Sequence, residues 1–191
     1  GFSKIIGTPH SYPGLYDNTS DSIKNAFKKL ENLGIEDIKL DYATEYMIDI
    51  SLIGKAENKN LLCLHKNYVL LEMGFINAPQ NLFDIIFNIQ LNGYKIILAH
   101  PERYLHYNSN FNELKKIKKN GCKFQMNLLS TTGYYGREVL NFSNKLLKNN
   151  MIDFFASDIH NINHVNQFEK RLKINQTKRL DLIIENSKEF N

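Results

Sequence analysis

The amino-acid sequence predicts an α/β fold assembled from successive parallel β/α units. Three observations lead there. Short apolar runs alternate with longer amphipathic segments. Those longer segments have polar starts and stop on Gly or Asn. The residue types that do chemistry stand almost entirely just behind the apolar runs.

Taken in order, the first strand-like run closes at Ile5-Ile6-Gly7. Thr19 or Ser20 then caps an amphipathic stretch that reaches Gly34. The second run covers 38–42 and the third 68–71. Ala78-Pro79 opens a helix that stops at Gly93, ahead of the fourth run at 95–99. A helix from Asn110 to Gly121 leads to the fifth run, 123–126, and one from Tyr135 to about Asn149 leads to the sixth, 152–155. A last helix is expected from about Val165 to Ser187, interrupted near Ile174-Asn175-Gln176-Thr177. The punctuation has physical causes: Ser and Thr oxygens accept from the open N–H groups of a first turn, Pro presets the first helical φ, and Gly takes the left-handed conformation that ends a helix. With no internal repeat, linker or shift in composition, the 191 residues read as a single domain, 1–191.

Composition excludes several classes. The chain carries 24 Lys+Arg against 20 Asp+Glu, a net charge of +4, with 42% hydrophobic and 23% charged residues. That mild excess lies on lysine-rich helices rather than in an aromatic-interleaved strip, so no nucleic-acid partner is implied. No run approaches the roughly 20 apolar residues of a membrane span, so no membrane insertion is expected. Cys63 and Cys122 lie far apart without a CxxC, which argues against a disulfide framework and a zinc knuckle and points to a cytoplasmic setting.

Behind the strand-like runs stand Thr8-Pro9-His10, Glu45, Glu72, His100-Pro101-Glu102-Arg103 and Ser157-Asp158-Ile159-His160. In a parallel barrel or open sheet the carboxyl ends of the strands share one face, so these residues are expected to converge. His and carboxylate donors without sulfur suit Mn²⁺, Zn²⁺ or Fe²⁺. Three of each exceed what one tetrahedral ion needs, which favours two or more ions with Glu72 or Asp158 bridging, an arrangement suited to hydrolysis. Arg103 adds a planar fork that grips phosphate oxygens. Duller readings stand beside these: alone, His10 could cap a turn and Glu45 could be a solvated strand end. Glu72, inside Tyr68-Val69-Leu70-Leu71-Glu72-Met73, resists them, because a buried carboxylate needs a partner. His164 lies close enough behind Asp158 and His160 to reach a phosphate. His65 and His106 read as structural or solvated, and Lys115, Lys116, Lys118 and Lys119 as the wet face of a helix.

The ordered set Gly7-Thr8-Pro9-His10, Ala43-Thr44-Glu45-Tyr46, Tyr68 to Met73, Ala99-His100-Pro101-Glu102-Arg103-Tyr104, Gln125-Met126-Asn127-Leu128-Leu129-Ser130 with Gly133-Tyr134-Tyr135-Gly136, and Ser157-Asp158-Ile159-His160 resembles the bacterial manganese-dependent tyrosine phosphatases of capsular and exopolysaccharide biosynthesis, in the polymerase-and-histidinol-phosphatase (PHP) superfamily. The resemblance implies a distorted (β/α)7 PHP-type barrel holding two or three Mn²⁺ ions, with Fe or Zn as alternatives. It implies His10, Glu45, Glu72, His100, Asp158 and His160 as metal ligands, with Glu72 bridging, Arg103 as the catalytic phosphate-binding residue and His164 on the substrate side. The implied substrate is a phosphotyrosine protein, a polysaccharide-assembly tyrosine kinase, hydrolysed through a metal-activated hydroxide without a cysteine phosphoenzyme. Family members open with a β/α unit bearing an Asp-x-His-x-His-like motif that this sequence does not contain. The expectation is therefore a fold lacking its first unit, with fewer metals than the family norm and impaired catalysis. Two alternatives stay open: a histidinol-phosphatase-like enzyme acting on a small molecule, and a non-catalytic domain that binds phosphotyrosine as a scaffold.

Overall fold

Parallel strand pairing runs through the computed structural model, which describes residues 3–35, 37–175 and 179–190. The chain divides into two compact units. The first comprises Gly1–Met73, Pro79–Ile97 and Phe190–Asn191, and the second Gly74–Ala78 and Leu98–Glu189.

In the first unit, β1 (Lys4–Gly7) leads into a very short β2 (His10–Ser11) and then α1 (Ser20–Glu31). Thr19 caps α1 reciprocally: its hydroxyl accepts from the Ser22 N–H at 3.1 Å, while its own N–H donates to Ser22 Oγ at 2.9 Å. β3 (Lys39–Tyr42), β4 (Glu45–Met47), α2 (Ser51–Glu57), β5 (Tyr68–Glu72) and α3 (Leu82–Leu91) follow. β1 pairs with β3, β2 with β4 and β4 with β5, all in parallel. Every residue of β5 is buried, which is why 68–71 reads as an unbroken apolar run rather than an alternating one. Leu52 and Ala56 of α2 and Ile85, Ile86 and Ile89 of α3 supply the helical side of this core.

β6 (Lys95–Ala99) begins in the first unit and ends in the second, where α4 (Phe111–Lys119), β7 (Lys123–Asn127), α5 (Arg137–Lys148), β8 (Phe154–Ala156), α6 (Ile162–Gln167) and α7 (Leu180–Ser187) complete the chain. β7 and β8 pair in parallel. Asp153 locks the start of β7: its carboxylate accepts from the Phe124 N–H at 2.7 Å and pairs with Lys118, which is therefore not a wholly solvated lysine. Val139, Phe142, Leu146 and Leu147 of α5 are buried, as are Phe124 and Met126 of β7. Cys63 and Cys122 are free thiols. Among the described residues no helix is long and apolar enough to cross a membrane.

The parallel β/α pattern stands, with three corrections to the expected elements. His10 and Glu45 do not trail the first two strands in loops but open strands of their own, β2 and β4, two and three residues long and too short for a periodicity to register. α2 was not expected, because Gly54 in its middle weakens the helical signature of 51–57. The expected interrupted last helix is present as two separate helices, α6 and α7, but the first already ends at Gln167, earlier than the expected break; part of that expected interruption, 176–177, lies outside the described residues.

Candidate active site

The strand register of the first unit builds the site. His10 on β2 stands directly opposite Glu45 on β4, and Glu45 opposite Leu70 on β5. Glu72 is two residues beyond Leu70, and side chains two apart in a strand share a face. His10, Glu45 and Glu72 are thereby brought to one side of the sheet. The His10 Nδ1 lies 2.8 Å from Glu72 Oε1 and 3.6 Å from Glu45 Oε2. One donor atom from each of the three residues falls within 4.8 Å of the other two. Among the described residues this is the only such cluster of three or more His, Cys, Asp or Glu side chains. The loop 11–18 holds His10 in place: Asn18 Nδ2 donates to the His10 carbonyl at 2.8 Å, and the Tyr16 ring stacks on the imidazole at 5.6 Å.

These residues fit a divalent cation. Glu45 and Glu72 are only 4% and 7% exposed, and two carboxylates this dry and this close require positive charge between them. One nitrogen and two carboxylates, without sulfur, suit a borderline or hard ion.

In the second unit a different cluster forms around Arg103. His100 directly follows β6 at a positive φ of 31°, turning the chain into the short helical turn Pro101–Arg103, whose Arg103 N–H donates back to the His100 carbonyl at 2.9 Å. The guanidinium is held between two rings, 4.6 Å from the Phe75 centroid and 4.7 Å from that of Tyr135. Arg103 Nη1 stands 3.5 Å from Asp158 Oδ2. Asp158 also has a positive φ, 47°, a strained backbone that costs about 1–3 kcal/mol for a residue other than Gly and is tolerated where the surroundings hold it. His160 Nδ1 sits 3.0 Å from the Asp158 carbonyl and 3.6 Å from its Oδ1. The buried His164 turns its Nδ1 to both the His160 N–H (3.3 Å) and the Asp158 carbonyl (3.2 Å), and one tautomer can serve only one of them. Its ring meets those of Tyr134 and Tyr135 edge-on. His164 thus braces the loop that carries Asp158 and His160.

Behind Arg103 lies Glu102, fully buried. Its Oε1 accepts from the Ser130 hydroxyl at 2.7 Å and the Asn127 N–H at 3.0 Å. Burial pushes its carboxyl up, against the pull of Ser130, His100 and Asn127. Burial likewise raises the Tyr135 phenol, helped by the Asp158 charge and opposed by Arg103.

The expected site residues are therefore gathered in two groups: His10, Glu45 and Glu72 in the first unit, and Arg103, Asp158, His160 and His164 in the second. His100, 4% exposed, is not part of any three-membered cluster of ligand atoms among the described residues; its ring lies among Phe75 and Tyr104. Sequence reasoning passed over Phe75, Asn127 and Tyr135. Asn127 had a usable signal, since it is the polar last residue of a strand, the same position that singled out Glu72.

Parallel β/α units, one with a histidine–carboxylate cluster at its strand ends and the other with an arginine flanked by aromatic rings, define an α/β protein with a candidate metal centre. Residues 1–186 match the family model for capsular polysaccharide synthesis, CpsB/CapC. The chain is 32% identical over 168 residues to the tyrosine-protein phosphatase YwqE of Bacillus subtilis, covering 85% of this chain and 65% of YwqE. With the tyrosine-protein phosphatase CpsB of Streptococcus pneumoniae it shares 24% identity over 172 residues, 85% of this chain and 70% of that one. A solved chain from the crystal structures of YwqE and CpsB, described as unique metal-dependent tyrosine phosphatases, matches with a TM-score of 0.78 at 27% identity, covering 97% of this chain and 81% of the other. The chain spans somewhat less than two thirds of the length of YwqE. It belongs to the CpsB/CapC family of capsular polysaccharide synthesis.

Proposed function

We propose that this chain is a metal-dependent phosphomonoesterase whose substrate is phosphotyrosine on a protein of capsular or exopolysaccharide synthesis, a polysaccharide-assembly tyrosine kinase. The observation that carries this is the His10–Glu45–Glu72 cluster with its two buried carboxylates; the kinship with YwqE and CpsB supports the choice of phosphotyrosine. His10, Glu45, Glu72, His100, Asp158 and His160 are proposed as the metal ligands, Mn²⁺ as the metal, and residues 1–191 as a single functional domain. The family kinship supports reading its β/α units as those of a distorted (β/α)7 PHP-type barrel. Free thiols at Cys63 and Cys122 support a cytoplasmic setting.

When bound, divalent cations supply Lewis acidity, lowering the pKa of water and neutralising phosphoryl charge. The chain's own residues supply orientation. Arg103, gripped by Phe75 and Tyr135, presents a preset fork that binds two phosphoryl oxygens and strengthens as charge develops on them. Asp158 balances the guanidinium from the side. His164 anchors the loop on the substrate side. Neither cysteine is fitted to act as nucleophile: burial pushes Cys63 up to about 11 and Cys122 to about 12, so both are protonated thiols at neutral pH.

The test is hydrolysis of a phosphotyrosine peptide by the purified protein with Mn²⁺, compared with histidinol phosphate. Higher kcat/KM on the peptide, lost by at least about 100-fold in Glu72→Gln and His100→Ala, is the expected result. Undiminished activity in those variants overturns the ligand assignment, and preference for histidinol phosphate overturns the substrate.

A further inference from the structure

The polar centre of the second unit is a single amide. Asn127, at the carboxyl end of β7 and 1% exposed, uses both ends of its side chain. Its Nδ2 donates to Asp158 Oδ2 at 2.7 Å and to the Tyr135 hydroxyl at 3.1 Å. Its Oδ1 accepts from the Leu129 N–H at 2.8 Å. Its backbone N–H is fastened to the buried Glu102 carboxylate. With the amide locked from two sides, only one orientation of Asn127 offers donors to Asp158.

We propose that Asn127 is a positioning residue that sets, through one amide group, both the Asp158 carboxylate and the Tyr135 ring lying against Arg103. Asp158 Oδ2 takes the Asn127 donor and faces Arg103 Nη1, while Oδ1 is left on the His160 side. Without that donor the carboxylate is free to rotate and to collapse onto the arginine, occupying the fork meant for phosphate. The Tyr135 hydroxyl held by the same amide keeps the ring against the guanidinium, so the two halves of the grip move together. Such outer partners of a ligand carboxylate typically change metal affinity or activity by about 10–100-fold.

This inference rests on Asp158 and Arg103 being site residues, and the experiment separates the two. Asn127→Ala removes every side-chain bond. Asn127→Asp keeps an oxygen for the Leu129 N–H and one to which the Tyr135 hydroxyl can donate, but when ionised has no donor for Asp158. Both are compared with Asp158→Asn for kcat and KM on phosphotyrosine peptide, for Mn²⁺ affinity by calorimetry and for thermal melting. The expected result is that Asn127→Asp, which sets a second carboxylate against Asp158, melts below the parent and loses kcat about 10–100-fold or more, and that Asn127→Ala also binds Mn²⁺ about 10-fold more weakly. Recovery of parental kcat in Asn127→Asp shows that only the turn-capping oxygen matters and overturns the proposal. If neither Asn127 variant folds, Tyr135→Phe decides: it retains the ring but not the hydroxyl, and a kcat/KM equal to the parent's overturns the coupling. Parental activity and Mn²⁺ affinity in Asp158→Asn instead overturns the assignment of Asp158 on which the inference rests.

Discussion

His10 Nδ1 stands 2.8 Å from Glu72 Oε1, although β2 and β5 do not pair and β4 lies between them. The contact exists because two parallel registers, His10 to Glu45 and Glu45 to Leu70, keep three side chains on one face. Burying two carboxylates there is a standing cost that a cation relieves. Mn²⁺ is therefore expected to raise the melting temperature, since a ligand that binds only the folded state adds about 2.7 kcal/mol of stability at a hundred times its Kd. Chelation reverses the rise, and Glu72→Gln abolishes most of it. A melting temperature indifferent to Mn²⁺ and EDTA would count against the cluster as a metal centre.

The Arg103 guanidinium depends on its aromatic neighbours. A lysine at 103 keeps the charge but loses the fork and the stacking on Phe75 and Tyr135. Arg103→Lys should lower kcat/KM on phosphotyrosine peptide by about 100-fold or more, a loss of roughly 2.7 kcal/mol of transition-state stabilisation. Phe75→Ala should have a smaller effect in the same direction, about 3–10-fold, from a loosened cation–π contact. Steady-state kinetics of the two variants measures both, and equal activity in Arg103→Lys would remove the bidentate grip.

The thiols impose a pH dependence on stability. The ordinary cysteine value of 9.0 is raised by burial to about 11 at Cys63 and about 12 at Cys122. A raised folded-state value means that the unfolded chain ionises first. Each thiol's contribution is thus complete below about pH 9 and is lost as pH rises through 11 and 12. Urea midpoints should fall between pH 8.5 and 10.5, and Cys122→Ala should flatten that fall. An unchanged slope in the variant would place the base sensitivity elsewhere.

Thr19 offers a test of local architecture at the start of α1. Thr19→Ala deletes one half of the capping box with Ser22 and should cost about 1 kcal/mol, lowering the melting temperature by about 2–4 °C. Thr19→Ser should be close to neutral. A melting temperature unchanged in the alanine variant would show that the α1 start is fastened by something other than its cap.

Much of the candidate site was legible because parallel β/α folds place their chemistry at the carboxyl ends of strands. Glu72 was conspicuous as a carboxylate at the end of an apolar run, and His100 and Arg103 stood directly behind another. β2 and β4 left no periodic trace, so His10 and Glu45 looked like loop residues. Phe75 and Tyr135 were silent for another reason: a phenylalanine and a tyrosine acquire a role only from the groups they face.

The sequence by itself determined the alternation of parallel β/α units, the capped and glycine-ended helices, the histidine and carboxylate chemistry and the family. Those properties are written in local period and in the order of motifs along the chain. Only the tertiary structure decided that His10, Glu45 and Glu72 form one cluster, that Arg103 is held between two rings, and that one asparagine ties Asp158 to Tyr135. Such relationships depend on strand register and on the direction of side chains across a fold, and neither is encoded in the spacing of residues along it.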